Sequence, residues 1–305
     1  MTLLIAHRGA SGYRPEHTAA AYRLGLALGA DAVEPDLVPT RDGVLVVRHE
    51  PEISDTTDVA DRPEFADRRR TIRVPLEAQP PGDPIEALTG WFTFDFTWAE
   101  LATLRARERL PALRQHSATF RDEPLLRFAD LLDLLDGTAT ADGSEPVLVA
   151  ELKHASAFRM LGFDLAELFA REVAGRVPGE RLVVESFELP VLIDLAERGL
   201  DATLVHLAAE PIELDALHPG IGGVSYAKSL LLAEGGRGLV DAAHARGLLA
   251  YAWTLRPERA FLDERFRGSG EPGEWGDWQG EFGAVLDTGV DGVFADHPDL
   301  VRALL

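Results

Sequence analysis

Four times along the chain a helical apolar pattern ends in glycine, passes one small or apolar residue, and enters a strand-like run. The four sites are Gly29-Ala30-Asp31, Gly199-Leu200-Asp201, Gly247-Leu248-Leu249 and Gly289-Val290-Asp291. Glycine just past a helix takes a left-handed conformation that side chains resist, so each site is a helix stop with a strand directly behind it. A chain repeating this unit alternates helices and strands, and the returning helices leave the strands parallel. From Leu3 to Phe294 we count nine strand-like runs. One of them, 44–48, follows the run 31–37 across Thr40-Arg41-Asp42-Gly43, a turn too short for a parallel crossover. It is therefore expected to fold back antiparallel and to bring His49 beside Asp36. Eight parallel strands plus one hairpin partner is an α/β architecture, a (β/α)8 TIM barrel. A doubly wound open sheet is the runner-up, and no Gly-rich dinucleotide fingerprint supports it.

The rhythm breaks between about 51 and 123. Residues 55–84 are rich in charge and proline, with Arg68-Arg69-Arg70 and Pro80-Pro81-Gly82, and read as loop. Phe92, Phe94, Phe96 and Trp98 alternate like a short extended piece, and Thr97-Trp98-Ala99-Glu100 has capping-box spacing for a helix reaching about Arg107. The apolar content is too thin for a separate core. The expected organisation is one barrel domain over 1–305 with an insertion at about 51–123. Past it the expected elements include one helix over 158–173.

The chain carries 30 Lys and Arg against 51 Asp and Glu, a formal net charge of -21. Such a field repels nucleic acid, and an anionic small molecule needs local cations or a metal ion to approach. There are no cysteines, which excludes disulfides and thiolate metal sites. No apolar run approaches the roughly 20 residues of a membrane span. Neither a basic flank nor a signal-type segment precedes the first strand, so the expected location is cytoplasmic, or periplasmic or secreted if a leader has been removed.

In a barrel, chemistry sits where strands end and βα loops begin. The polar residues at those places are His7, Arg8, Glu34, Asp36, His49, Glu151, Lys153, Glu185, and Trp253 with Thr254. Glu34, Asp36 and Glu151 converge from two strands as an oxygen-rich donor set suited to Ca²⁺ or Mg²⁺. His7 and His49 can divide general-base and general-acid work, while Arg8 and Lys153 supply positive charge for an anionic substrate. Together these imply in-line displacement at phosphorus. Each has a plainer reading as well. Glu34-x-Asp36 alone is usually a salt-bridging pair, Glu151 and Lys153 could be a structural ion pair, and Trp253 is as readily barrel packing as substrate wall. His17, His116, His206, His218 and His244 are placed in helices, loops or turns without a carboxylate partner and receive no role, and His154 is expected to point away.

His7-Arg8-Gly9-Ala10 with Pro15-Glu16-His17-Thr18, then Glu34-x-Asp36, Asp42-Gly43…His49, Glu151-Leu152-Lys153, Ser186-Phe187 and Gly292-Val293-Phe294-Ala295-Asp296-x-Pro298 together resemble the glycerophosphodiester phosphodiesterase family. Thr57-Asp58-Val59-Ala60, Asp95-Phe96-Thr97-x-x-Glu100-Leu101 and Tyr251-Ala252-Trp253-Thr254-Leu255-Arg256 resemble its bacterial, periplasmic-type branch. The resemblance implies a (β/α)8 barrel that hydrolyses glycerophosphodiesters to an alcohol and glycerol 3-phosphate. It also implies a divalent ion, Ca²⁺ first and Mg²⁺ second, on Glu34, Asp36 and Glu151. His7 and His49 would be the acid/base pair, and Arg8 and Lys153 the phosphate clamp. Glu50 stands where that family usually has Asp, Glu185 where Gln is usual, and Pro35 separates two of the implied ligands. Two other readings share these residues: a lysophospholipase D acting on a larger substrate, its acyl chain met by the aromatic insertion or the Trp275 and Trp278 loop, and a phosphodiester-binding protein without turnover.

Overall fold

The computed structural model describes residues 2–74 and 87–305. The expected loop residues Pro80-Pro81-Gly82 lie outside them. The first half of the chain contributes β1 (Leu3–His7), α1 (Ala19–Ala27), β2 (Ala32–Glu34), β3 (Asp36–Pro39), β4 (Leu45–Val47), β5 (Arg70–Ile72), β6 (Leu88–Gly90), α2 (Trp98–Leu101) and α3 (Phe128–Leu135). Then come β7 (Val147–Leu152), α4 (Ala155–Met160), α5 (Leu165–Val173), β8 (Leu182–Ser186), α6 (Leu189–Glu197), β9 (Thr203–Ala208) and β10 (Gly223–Ala227). The last are α7 (Lys228–Leu232), α8 (Gly236–His244), β11 (Leu249–Leu255), α9 (Glu264–Arg267), α10 (Trp278–Leu286), β12 (Gly292–Ala295) and α11 (Pro298–Arg302).

Parallel ladders run from β1 through β2, β7, β8, β9, β10 and β11 to β12, and β12 pairs back onto β1. The sheet is thus a closed barrel of eight parallel strands with helices between them, the expected (β/α)8 fold. β3 continues β2 past Pro35, pairs in parallel with β7, and carries β4 antiparallel, with Leu37 opposite Val47. The hairpin brings the Arg48 amide to the Asp36 carbonyl at 2.9 Å, which places His49 near that carboxylate.

Two apolar clusters hold the barrel. Ile5, Ala32, Val149, Val183, Val205, Tyr251 and Phe294 fill its interior, with Trp253 packed at their edge. The larger cluster lies between strands and helices, where the interior-facing and helix-facing residues of each parallel strand are both buried. The Gly stops act as expected: Gly29, Gly199, Gly247 and Gly289 all have φ between 72° and 94°. Thr18 caps α1 by accepting from the Ala21 amide, an interaction worth about 1 kcal/mol.

Several sequence expectations are corrected in detail. The helix expected over 158–173 is two, α4 and α5, divided at Gly162, whose φ is 90°. The capping box at Thr97 forms, but α2 ends at Leu101 rather than near Arg107. Beyond it the backbone is claimed by tertiary partners: the Arg105 amide donates to Asp58 Oδ1 and Ala106 bridges Thr57. The aromatic run is not extended throughout, because 93–95 form a turn of 3-10 helix.

Residues 55–74 are not plain loop. They contain short 3-10 turns and the β5 strand, which pairs with β6. The basic run there is packed on aromatic faces: the Arg68 guanidinium lies 4.8 Å from the Phe96 ring centre and the Arg70 guanidinium 5.7 Å from that of Phe94. Ile53, Val59, Phe65, Trp91, Phe92, Phe94 and Phe96 join the same apolar cluster as the barrel helices.

Candidate active site

Strand register sets the site. His7, the last residue of β1, is level with Glu34, the last of β2. Asp36, the first residue of β3, is level with Glu151 on β7, and Glu151 is level with Glu185 on β8. Four neighbouring strands, with β2 and β3 counted as one, therefore present four carboxylates and an imidazole at one rim. They open into a cavity of about 420 Å³ lined by His7, Arg8, Glu34, His49, Glu151, Lys153 and Glu185, with Phe187, Trp253, Lys228 and Arg256 among its further walls. Asp36 sits just beneath, 1 % exposed.

One oxygen from each of Glu34, Asp36 and Glu151 lies within 4.8 Å of the other two, so this triad could hold a metal ion. The fit is chemical as well as geometric. Asp36 Oδ1 is buried and accepts no hydrogen bond, although it faces the Lys153 ammonium at 3.1 Å. Glu185 Oε2 beside the triad is also buried without a donor. Oxygen-only donors with spare lone pairs suit a hard divalent cation. Glu34 Oε2 is further steadied by the Arg8 amide at 2.9 Å.

The buried charges are balanced among themselves. Lys153 Nζ is 2.6 Å from Glu151 Oε2, and Arg8 Nε is 3.2 Å from Asp36 Oδ2. Burial opposes ionisation of Asp36, yet Lys153 and Arg8 hold its carboxyl well below the usual range. Burial, followed by the charge of Asp36, pushes Glu34 well above that range. Burial carries Glu151 up to about 8 against the pull of Lys153. Glu185 is raised by burial and then by Glu151.

Each cavity histidine is backed by a carboxylate. His7 Nδ1 is 2.6 Å from Asp296 Oδ1, and His49 Nδ1 is 2.5 Å from Glu50 Oε1. Burial, followed by Arg8, lowers the His7 pKa to about 4. Burial, Arg8 and Lys153 together lower His49 to about 3. Both rings are therefore neutral bases near pH 7, with Nε2 left over once Nδ1 is bound.

Sequence reasoning missed several partners. His17 is fully buried with φ of 60°, and its Nε2 lies 2.9 Å from Asp36 Oδ2. Burial keeps the ring neutral, so Nε2–H donates to Asp36 while Nδ1 lies 2.8 Å from the Tyr22 hydroxyl, which itself donates to the Glu34 carbonyl at 3.1 Å. The expectation that His17 has no carboxylate partner is thus corrected. His244 also has one, Asp291, at 2.9 Å on the surface. His206 lies in β9 rather than in a loop. Glu16 and Asp296, quoted above only as part of a motif, hold Arg8 and His7. For Asp296, position just past the last strand was the available signal, whereas Glu16 lies in the loop between β1 and α1.

Trp253 packs at the edge of the barrel interior and lines the cavity: its Nε1 donates to the Ser225 carbonyl at 3.0 Å, and its ring meets Phe187 edge-on. Trp275 packs against His297 and Trp278 against Phe282, and neither lines the cavity.

Fold and site together define a (β/α)8-barrel protein whose C-terminal rim combines a carboxylate triad, buried cations and two histidines. Comparison with known proteins places it further. The chain belongs to the glycerophosphoryl diester phosphodiesterase family, whose model matches residues 7–300. A glycerophosphodiester phosphodiesterase of Arabidopsis thaliana is 41 % identical over 131 residues, 43 % of this chain and 32 % of that protein. One from Haemophilus influenzae is 28 % identical over 179 residues, 54 % of this chain and 43 % of its own. The matched stretches thus span less than half of these relatives. Among solved structures, an Oleispira antarctica phosphodiesterase in complex with the product sn-glycerol-3-phosphate superposes with a TM-score of 0.68 at 17 % identity, covering 99 % of this chain and 96 % of that one. A glycerophosphodiester phosphodiesterase from Agrobacterium tumefaciens gives 0.63 at 19 % identity, covering 99 % of both. At these identities the likeness is one of fold. No helix among the described residues is long and apolar enough to cross a membrane.

Proposed function

We propose that the protein hydrolyses glycerophosphodiesters to an alcohol and glycerol 3-phosphate. The observation that carries this reading is that His7 and His49 line one cavity with Glu34, Glu151, Arg8 and Lys153. Family membership supplies the substrate class. Arg8 and Lys153 hold the phosphoryl oxygens, overcoming locally the repulsion of a chain with net charge -21. One imidazole takes at Nε2 a proton of the attacking water as its oxygen bonds to phosphorus, and the other, protonated from solvent once the anionic substrate is bound, gives its Nε2 proton to the departing alkoxide as the P–O bond to it breaks. Asp296 and Glu50 stabilise the imidazolium that forms on each ring. Trp253 and Phe187 wall the cavity against water. Glu34, Asp36 and Glu151 would hold a divalent ion, Ca²⁺ in the first instance or Mg²⁺, and it would supply charge neutralisation at phosphorus.

The test is release of glycerol 3-phosphate from glycerophosphocholine. It should fall to background in EDTA and return on adding Ca²⁺ or Mg²⁺. Turnover untouched by complete metal removal removes the metal from the reading, and no turnover in any ion removes the reading itself.

A pH dependence follows from Glu151. Its folded pKa of about 8 lies above the usual carboxylate value of 4.5, so the folded state keeps a proton that the unfolded chain releases. The metal-free fold therefore loses stability as pH rises through that window. A divalent ion binds the ionised carboxylates, so its thermal stabilisation should grow across the same window and be larger at about pH 8 than at about pH 5.5. Histidine ionisation, which costs stability as pH falls below about 6.5, largely cancels in the difference between scans with and without metal. A thermal shift that is flat or falls with pH contradicts this assignment.

A further inference from the structure

The loop 108–118, in the segment that interrupts the barrel rhythm, does not line the cavity, yet its arginines reach the carboxylates behind both histidines. Arg109 grips Glu50 twice, Nη1 to Oε1 at 2.7 Å and Nη2 to Oε2 at 2.6 Å. The same guanidinium donates from Nε and Nη2 to Glu16 at 2.8 and 2.6 Å. Glu50 Oε1 is the atom beside His49 Nδ1, and Glu16 is the partner of Arg8. Arg114 Nη2 lies 2.5 Å from Asp296 Oδ2, and the other oxygen of that carboxylate meets His7 Nδ1. Its Nε binds Glu258 Oε1 at 2.7 Å and its Nη1 the Ser11 carbonyl at 3.0 Å.

The loop is built to carry both arginines as one unit. Glu108 accepts from the Leu110 amide at 2.9 Å and from the Ser117 hydroxyl, closing the loop across its base. The Leu110 carbonyl receives the amides of Leu113 and Arg114, and the Arg114 carbonyl that of Ala118. Guanidinium is a planar fork that fixes a carboxylate in two directions at once, which lysine cannot do. A carboxylate so fixed in turn sets which imidazole nitrogen carries the proton and how the ring is turned.

We propose that loop 108–118 is the positioning element of the site, with Arg109 acting through Glu50 on His49 and Arg114 acting through Asp296 on His7. The catalytic consequence rests on the phosphodiesterase reading, and the geometric part does not. The two arms differ in strength. Asp296 is also held by Arg256 Nε at 2.8 Å, so without Arg114 it keeps a guanidinium. Glu50 has hydrogen bonds only to His49 and Arg109 among the described residues, and it is partly exposed. Arg109 is thus the residue whose loss tells most.

The experiment is proton NMR of protein labelled with nitrogen-15 at histidine, in the parent, Arg109→Met and Arg114→Met, beside steady-state kinetics. The parent should show low-field Nδ1–H resonances for both His7 and His49. Arg109→Met should lose that of His49 and keep that of His7, with kcat down about ten- to a hundredfold and KM changed less than about twofold. Arg114→Met should weaken the His7 resonance alone, with a smaller kcat loss. Arg109→Lys, which keeps the charge and loses the fork, is the variant to read if the methionine change does not fold, and the same His49 signal should vanish. Both resonances unchanged in the Arg109 variant, or both lost together in either variant, overturns the proposal. If the parent releases no glycerol 3-phosphate, the phosphodiesterase reading fails and the resonances still decide whether the loop positions the rings.

Discussion

His7→Ala is expected to slow release of glycerol 3-phosphate from glycerophosphocholine about a thousandfold, with His49→Ala costing a similar factor, as loss of a general acid or base does. The fold should tolerate both changes. Asp296 keeps Arg114 and Arg256 when His7 is gone, and Glu50 keeps Arg109 when His49 is gone. The measurement is kcat and KM at saturating divalent ion, with a melting curve of each variant as control. The double variant should be little slower than either single one, because two groups that act in one step do not add. Parent-like turnover in either single variant removes the paired-imidazole chemistry.

The second large effect belongs to Asp36. It is the counter-charge for Lys153 at 3.1 Å and Arg8 at 3.2 Å, and it also receives His17, all in the interior. Asp36→Asn should destabilise the metal-free protein by about 3–5 kcal/mol, the cost of leaving buried charges short of a partner. Glu34→Gln makes the contrast. The Glu34 carboxyl is already pushed toward its protonated form by burial and by Asp36, and an amide resembles that form. It should cost little stability in the absence of metal. Both substitutions should abolish the thermal shift on adding Ca²⁺ or Mg²⁺ and reduce activity to background. Urea unfolding without metal separates them, and equal stability of Asp36→Asn and the parent refutes the counter-ion role.

The site was legible where the chemistry lies on or beside regular strands. Parallel strands and a short turn leave few ways to place Glu34, Asp36, Glu151 and His49, so hairpin logic brought the last to the rim. What escaped was pairing between segments far apart in sequence. Asp296 is 289 residues from His7, and Arg114 is 182 from Asp296. Nothing local to any of them tells which opposite charge it will meet. Arg109 and Arg114 also lie in a stretch without helical or strand periodicity, where residue spacing carries no directional information. His17 was passed over for a related reason. Its backbone has φ of 60°, and a loop turning that way aims a side chain in a direction no alternation rule anticipates.

The pairing of His7 with Asp296 bears on how the protein is made. β1 precedes every other barrel strand in sequence, yet its neighbour β12 and the carboxylate just beyond it follow all of them. Contacts so distant in sequence form late, after the entropy of closing a very long loop has been met. Until residues 292–296 have been made, a nascent chain holds His7 without its partner and the barrel without its closing ladder, so both wait on the same short segment. Proteolytic loss of the segment after β11 should accordingly yield an open sheet prone to aggregation rather than a weakened barrel.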